Sequence, residues 1–435
     1  MLAALGFGSI GLFTVLVMTR KISAVAGLIL IPAVFGLIGG FGGTLGDMMV
    51  SGVVDTAPTA VLLTFALLYF LVMTECGLFE PLIRRILAIV GEDPVRIVVG
   101  TAILIMGIGL DGDGSTAAFV VITSMYPIYR QVGINPLIIA MLLGIICPAL
   151  NWLPWGGPAA RMAVSLKIEV SDVVLPMLPA LVITLATALA FAYIVGRRER
   201  SKIEARKAEA ALRAEEEGEE STGGTPRTPI PTKNVWFNLV LTIAFILSMA
   251  IELLPLPALA MIAFSIAVTV NWPNLRVQDE KLKPHMGAVV MVISLILAAG
   301  AFSGILNDSG MVKAMSDALV AHLPDAWGGG FAFVTALVSG PLLFILSNDS
   351  FYFGVVPILA QTGAAYGLPP EVIAHSVLPG IFLHTLSPLS APIYLVASLL
   401  RTDFGSLQRY ALRWSIGITL AAIVAAAITG AVYVA

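Results

Sequence analysis

Long apolar segments recur along the chain, separated by short polar connections. Each has about the 20 residues that a helix needs to cross the hydrocarbon core of a bilayer, or more. Ten are clear, at roughly residues 2–19, 22–40, 57–77, 136–165, 172–196, 236–253, 255–272, 286–306, 372–400 and 410–434. Because backbone in lipid must satisfy its own hydrogen bonds, and the segments lack the alternating polarity of barrel strands, the pattern predicts an all-α polytopic membrane protein.

Two further apolar regions are interrupted by polar tips. Residues 94–130 contain Asp111-Gly-Asp-Gly-Ser115, and residues 330–366 contain Ser347-Asn-Asp-Ser350. The arms flanking each tip are short, about 15 to 18 residues, which predicts two re-entrant helical hairpins, with two ordinary spans per region as the alternative. Polar backbone at membrane depth is tolerated only where it is buried in protein or lines a cavity.

The composition supports a membrane protein. Apolar residues make up 58% of the chain and charged residues 12%, against about 25% charged in soluble proteins. The net charge of -3 does not indicate a basic surface that would bind nucleic acid. The two cysteines indicate neither a set of disulfides nor a zinc site. With the N-terminus outside and both hairpins re-entrant, all Lys and Arg lie inside except Arg161, Lys167 and Lys313.

The two halves of the sequence resemble one another. Gly/Pro positions recur 234 residues apart, and the matching pairs are Gly133 and Gly367, Pro136 and Pro370, Pro154 and Pro388, and Pro158 and Pro392. Each half crosses the membrane five times in this count, so the second half enters from the opposite side. The sequence therefore predicts two inverted-topology repeats, residues 1–196 and 235–435, joined by a cytoplasmic linker at 197–234.

Each repeat also contains a helix break. Pro154-Trp-Gly-Gly-Pro158 interrupts a long apolar segment, and Pro388-Leu-Ser-Ala-Pro392 occupies the equivalent place in the second half. Proline removes a backbone donor and glycine removes side-chain cover, so backbone groups are freed there. Because each break accompanies a polar hairpin tip, we expect the four features to form a binding site rather than simple kinks.

Candidate site residues cluster at the breaks and tips. Those expected to bind substrate are Asn151, Trp155, Gly156, Gly157, Arg161, Ser347, Asn348, Ser387 and Ser390. Those expected to take part in metal or proton coupling are Asp111, Asp113, Ser115, Asp349 and His384. An arginine within a span needs a carboxylate partner, which is either a protein aspartate or an anionic substrate; the second is favoured here because the planar guanidinium binds carboxylates through two hydrogen bonds.

Two readings from other classes remain as alternatives. An intramembrane aspartyl protease uses a G-x-G-D motif, but Leu110-Asp-Gly-Asp113 lacks the first glycine and no second catalytic aspartate stands out in another span. A channel would use the same polar elements without strict coupling to an ion gradient. The sequence thus predicts a transport protein and no enzyme.

Three motifs resemble the metal–citrate:proton symporter family (CitMHS) of the ion transporter superfamily. They are Ile31-Pro-Ala-Val-Phe-Gly-Leu-Ile-Gly-Gly-Phe41, Leu110-Asp-Gly-Asp-Gly-Ser115 and Leu153-Pro-Trp-Gly-Gly-Pro-Ala-Ala-Arg161. The resemblance implies proton-driven uptake of citrate with a divalent metal of the Mg or Ca type across a bacterial inner membrane, and no permanent cofactor. It also implies a homodimer with elevator-like alternating access. A sodium-coupled di- or tricarboxylate transporter or an anion exchanger of the same fold is the alternative.

Overall fold

The computed structural model describes residues 1–19, 21–91, 93–111, 114–213, 234–251, 253–321, 329–387 and 390–433. Regular structure in these ranges is helical, without strands. In chain order the α-helices are α1 (Leu2–Met18), α2 (Ala24–Ile38), α3 (Leu45–Glu75), α4 (Glu80–Val90), α5 (Pro94–Ile108), α6 (Gly114–Val132), α7 (Leu137–Leu150), α8 (Gly157–Leu166), α9 (Val170–Val174), α10 (Leu178–Arg213), α11 (Val235–Ala250), α12 (Leu256–Asn271), α13 (Leu275–Leu282), α14 (Met286–Asp308), α15 (Met311–Val320), α16 (Phe331–Ile345), α17 (Val356–Ala365), α18 (Pro370–Val377), α19 (Ile381–His384), α20 (Ala391–Leu399) and α21 (Phe404–Ile428).

The predicted apolar segments fall on these helices, which confirms the all-α membrane fold. Within the described ranges, four helical stretches are long and apolar enough to cross a bilayer alone: Leu45–Glu75, Val170–Ala205, Val289–Asp308 and Phe404–Ile428. A fifth candidate is α12 together with Leu275–His285, which turns away from it by 118°. Shorter apolar helices lie on four of the remaining predicted spans, and the span predicted at 372–400 is divided among α18, α19 and α20. The count of ten crossings therefore stays a prediction.

Helix α3 begins earlier than the hydropathy pattern predicts. It starts at Leu45 instead of near residue 57 and is 31 residues long. Its first part includes Asp55, whose carboxylate lies 3.0 Å from the Lys167 ammonium group. The ion pair stabilises the Asp55 charge within the helix, whereas the hydropathy pattern alone would have placed Asp55 before the helix start.

Both breaks and both hairpins occur where the sequence predicts them. Residues 151–156 separate α7 from α8, and the second break separates α19 from α20. The hairpin arms α5 and α16 are each 15 residues long and pack against the arms that follow them, α6 and α17. Helix α10 continues to Arg213, so the first part of the predicted linker is a helical extension of the span before it; residues 214–233 lie outside the described part of the chain.

Backbone geometry repeats between the two halves. Left-handed residues recur 233 or 234 positions apart, and the pairs are Gly77 and Gly310 (φ 71° and 75°), Gly133 and Gly367 (83° and 79°), and Lys167 and Arg401 (55° and 51°). The helix-ending hydrogen bonds recur as well. The Ile168 amide donates to the Ala163 carbonyl and the Thr402 amide to the Ala397 carbonyl, both at 3.0 Å. These shared caps are the Schellman type that ends a helix on a left-handed residue.

The equivalent helices α3 and α14 run antiparallel in close contact. A Cβ on Gly52 would lie 2.1 Å from the Gly300 carbonyl oxygen, so the backbones touch near the start of α3 and the end of α14. At the opposite ends, Glu75 accepts a hydrogen bond from Lys281 at 2.8 Å. Because matching helices point in opposite directions, the two repeats are inverted relative to one another. The residue limits of the repeats stay a prediction.

Candidate functional site

The centre of the candidate site is an ion pair between the two halves. The Arg161 Nε atom donates to the Asp349 Oδ1 atom at 2.9 Å. Arg161 lies one turn into α8, after the first break, and Asp349 lies at the tip of the second hairpin. The side chains are 19% and 17% exposed, so the pair is largely desolvated yet accessible to a ligand. Of the two partners predicted for Arg161, the structure contains the protein aspartate.

Two glycines make room for this arginine. A Cβ on Gly157 would lie 2.5 Å from the Arg161 Nη1 atom, so the absence of a side chain there allows the guanidinium group to fold back over the helix start. A Cβ on Gly156 would lie 2.0 Å from the Asn151 carbonyl oxygen. The two positions therefore differ in kind. Gly157 shapes the environment of a flexible side chain, whereas Gly156 and Asn151 bring two stretches of backbone together across the break.

Two buried polar groups beside the ion pair have no hydrogen-bond partner in the described part of the chain. They are the Asn348 Oδ1 atom and the Tyr352 hydroxyl group. Tyr352 is fully buried, lies in a π-helical turn at Ser350–Val355, and is close enough to Arg161 to be affected by its charge. Leaving such groups unpaired costs about 1–3 kcal/mol each, and π-helical turns are frequent at functional sites. Sequence reasoning missed Tyr352; its place one turn after Asp349 was the available signal.

Polar side chains of both breaks satisfy carbonyl groups at the end of a hairpin arm. The Trp155 indole N–H donates to the Leu110 carbonyl at 2.7 Å, and the Ser387 hydroxyl donates to the Phe344 carbonyl at 2.7 Å. The Trp155 ring is also enclosed by Phe70 and Phe245. Each break therefore supports the hairpin of its own half.

His384 has a similar supporting contact, and its second ring nitrogen makes no hydrogen bond to the described residues. Its Nδ1 atom lies 2.7 Å from the Leu343 carbonyl oxygen, so Nδ1 carries the proton of a neutral ring. The Nε2 atom is then an acceptor, and the ring lies within electrostatic range of Arg161 and Asp349. At the tip, the Ser347 hydroxyl donates to the Ser350 hydroxyl at 2.8 Å. Ser390 is the N-cap residue of α20.

The predicted coupling residues of the first hairpin lie outside the described part of the structure. This applies to Asp113 and to the side chains of Asp111 and Ser115. Among the described residues no group of three or more His, Cys, Asp or Glu side chains is placed to hold a metal ion. The described site is thus an arginine, a carboxylate, a histidine nitrogen and neutral oxygens, a set suited to recognising a carboxylate ligand.

Inverted repeats, broken helices and hairpins that meet at a polar centre are the architecture of a secondary transporter. A solved structure of a transporter from Alcanivorax borkumensis, YdaH, described as having an unusual topology, has the same fold: it is 14% identical, with a TM-score of 0.57, and the alignment covers 90% of this chain and 88% of that one.

The citrate transporter family profile (CitMHS) matches residues 10–380. The chain is 42% identical to a citrate transporter of Bacillus subtilis over 431 residues, 99% of each chain. It is 39% identical to a Mg(2+)/citrate complex secondary transporter of the same organism over 429 residues, 98% of each. The chain therefore belongs to the citrate transporter family, as its motifs predicted; it is a multi-pass membrane transport protein and not an enzyme.

Proposed function

We propose that the chain is a proton-coupled symporter that carries citrate complexed with a divalent metal cation across a bacterial inner membrane. The names of the two Bacillus relatives support citrate, and one of them supports Mg²⁺ as the cation carried with it. The observation that carries the proposal is the Arg161–Asp349 pair, which places a guanidinium group at the meeting point of a broken helix and a hairpin tip.

The starts of the half-helices α8 and α20 give two further anion-binding elements. Neither N-cap residue, Gly156 nor Ser390, makes a side-chain capping hydrogen bond. The first turn of a helix has amides without intrahelical acceptors, although the proline near each start supplies none, and the helix dipole favours negative charge there. Two helix starts and one arginine match the three carboxylates of citrate.

Substrate binding requires Arg161 to exchange partners. A substrate carboxylate can take both outer donors of the guanidinium group, whereas Asp349 is bonded through Nε. The Asn348 and Tyr352 oxygens lie beside this exchange and are available to pair with substrate or with the displaced carboxylate.

The metal and the coupling proton are assigned to the acidic groups. Magnesium and calcium take six or more oxygen ligands, and citrate surrounds its metal only in part. Asp111 and Asp113, together with Ser115, are proposed to complete that shell or to carry the proton. Asp349 and His384 are the proposed proton sites of the second half. The metal is cargo that travels with the substrate.

A sodium-coupled carboxylate transporter or anion exchanger of the same fold is the second candidate. The unpartnered Asn348 carbonyl oxygen beside Ser347 favours it, because neutral oxygens of this kind suit a monovalent cation. For either candidate we propose a homodimer in which the site-bearing elements move past a scaffold containing α3 and α14.

Uptake of labelled citrate into proteoliposomes tests the proposal when metal, proton and sodium gradients are varied separately. We expect uptake that requires a divalent metal and a proton gradient and ignores sodium. Sodium dependence without proton dependence would select the second candidate. Uptake of citrate without any divalent metal would contradict the metal–citrate substrate. The Asp113→Asn protein should lose coupled uptake, and wild-type coupling and metal preference in both Asp111→Asn and Asp113→Asn would remove that tip from the mechanism.

A further inference from the structure

The equivalent half-helices α8 and α20 have different surroundings. Both end on a cationic residue in the left-handed conformation, Lys167 in the first half and Arg401 in the second. Helix α8 nevertheless packs against α3 and α14, whereas α20 packs mainly against α6 and α21 among the described residues. The two repeats therefore share their local geometry but differ in how each half-helix is docked.

The cationic residues at the ends of α8 and α20 also differ in the contacts that they make. The Lys167 ammonium group lies 3.0 Å from the Asp55 carboxylate and 3.4 Å from that of Asp308, which joins α8 to both α3 and α14. Although burial opposes its charge, the hydrogen bond to Asp55 and the charge of Asp308 raise the pKa of Lys167. Arg401 is exposed and forms no ion pair within the described ranges. The residue equivalent to Asp308 is Glu75, which binds Lys281.

We propose that Lys167 and Arg401 are alternating positioning residues of the transport cycle. Lys167 holds α8 on the α3–α14 pair in the present conformation. In the conformation that opens to the other side of the membrane, Arg401 binds Glu75 and so holds α20 against the opposite end of the α3–α14 helix pair. Lys167 is then released from Asp55 and Asp308. The physical reason is the inverted repeat: α8 and α20 hold equivalent places in the two halves, so exchanging which of them is docked on the α3–α14 pair would interconvert two access states.

The strength of the contacts fits such a switch. Lys167 and Asp308 are each about one-third exposed, and ion pairs at that exposure change a two-state equilibrium only about two- to fivefold. A pair of this kind biases the resting conformation without trapping it. The proposal rests on the proposed function only in requiring transport by alternating access, and it does not depend on citrate being the substrate.

Cross-linking of the full-length protein tests the exchange. In a protein whose Cys76 and Cys147 are replaced by alanine, Thr74→Cys and Thr402→Cys are introduced beside Glu75 and Arg401, which keep their charges, and the protein is treated in vesicles with a bifunctional thiol reagent. A protease site inserted between residues 223 and 224 separates the halves on a denaturing gel unless they are cross-linked. We expect a cross-linked product, and about a two- to fivefold higher yield when Lys167→Gln is added. Lys167→Arg, which keeps the charge, should return the lower yield.

The matched control joins two residues that we expect to stay together in both states. Phe65 and Phe264 are in ring contact between α3 and α12, with centroids 5.7 Å apart; their cysteine replacements should cross-link equally with and without Lys167→Gln. No cross-linked product between positions 74 and 402 in the Lys167→Gln background, or equal changes in both pairs, would overturn the proposal. Because the assay contains no substrate, this failure is separate from a failure of citrate uptake, which would overturn the proposed function alone.

Discussion

At the scale of single residues, the site depends on the space that Gly157 leaves for the Arg161 side chain. Gly157 has no side chain at the place where the Arg161 guanidinium group folds over the start of α8. The arginine can therefore reach Asp349 while remaining one turn from the break. A flexible charged side chain is thus held in one orientation by the space beside it and by the carboxylate that faces it.

Gly157→Ala should weaken substrate binding without unfolding the protein. The added Cβ would lie 2.5 Å from the Arg161 Nη1 atom, and the flexible guanidinium group can move away from it. The cost falls on the orientation of Arg161, so we expect an apparent KM for uptake about tenfold higher, equivalent to one hydrogen bond to a charged group. Uptake kinetics and thermal unfolding in detergent measure the two effects.

The neighbouring position supplies the contrast for that experiment. A Cβ on Gly156 would meet the Asn151 backbone, which cannot move aside, so Gly156→Ala should lower the folded yield. An unchanged KM in the Gly157→Ala protein would show that the orientation of Arg161 does not matter for binding.

Arg161→Lys separates the two possible partners of the arginine. Lysine keeps the charge that faces Asp349 but loses the planar donor pair that holds a carboxylate through two bonds. We expect folding to survive and substrate affinity to fall about tenfold or more, measured by calorimetry or by half-saturation of uptake. Wild-type affinity would mean that the arginine serves as a structural ion pair with Asp349.

At the scale of elements, the breaks and hairpins were predictable because proline, glycine and polar residues in an apolar segment indicate them directly. The partners of those elements were not. Nothing in the spacing of Trp155 or Ser387 indicates that each would donate to a backbone carbonyl near the end of a hairpin arm, since backbone acceptors leave no mark in the sequence. The Tyr352 hydroxyl, which has no partner among the described residues, was not predicted for a related reason: a tyrosine in an apolar arm is usually a packing residue.

Gly300→Ala should destabilise the contact between α3 and α14. A Cβ there would lie 2.3 Å from the Thr56 Oγ1 atom and 2.6 Å from the Gly52 carbonyl oxygen, so the helices must separate. Small residues allow helices to pack closely in membranes, and overpacking such a seam costs about 1–3 kcal/mol. Thermal unfolding in detergent should show a lower midpoint.

The control lies on the same helix. A Cβ on Gly287 would meet nothing within 4 Å, so Gly287→Ala should leave the unfolding midpoint unchanged or slightly higher. Equal effects of the two substitutions would show that the seam is not a principal source of stability.

At the scale of the whole molecule, the asymmetry of Lys and Arg and the inverted repeats indicate the same orientation of the chain in the membrane. Lys167, which the charge asymmetry leaves outside, meets Asp55 and Asp308 in the structure. Lys281, which the same asymmetry places inside, meets Glu75. The inverted direction of the repeats followed from an odd number of predicted crossings, and the antiparallel α3 and α14 agree with it. The sequence could not indicate that α8 packs on the α3–α14 pair whereas α20 does not, because the same proline pattern precedes both half-helices.

The membrane orientation can be tested with two exposed positions. Ser201 lies on the charged extension of α10, which is expected inside, and Lys313 lies on α15 with its side chain 69% exposed, at a connection expected outside. In a protein without its native cysteines, a membrane-impermeant thiol reagent applied to intact cells should label Lys313→Cys at once and Ser201→Cys only after the cells are opened. The asymmetry of Lys and Arg across the two faces is the physical basis of this expectation. Labelling of both positions from one face would contradict an odd number of crossings between them and, with it, the arrangement of the two halves about the membrane.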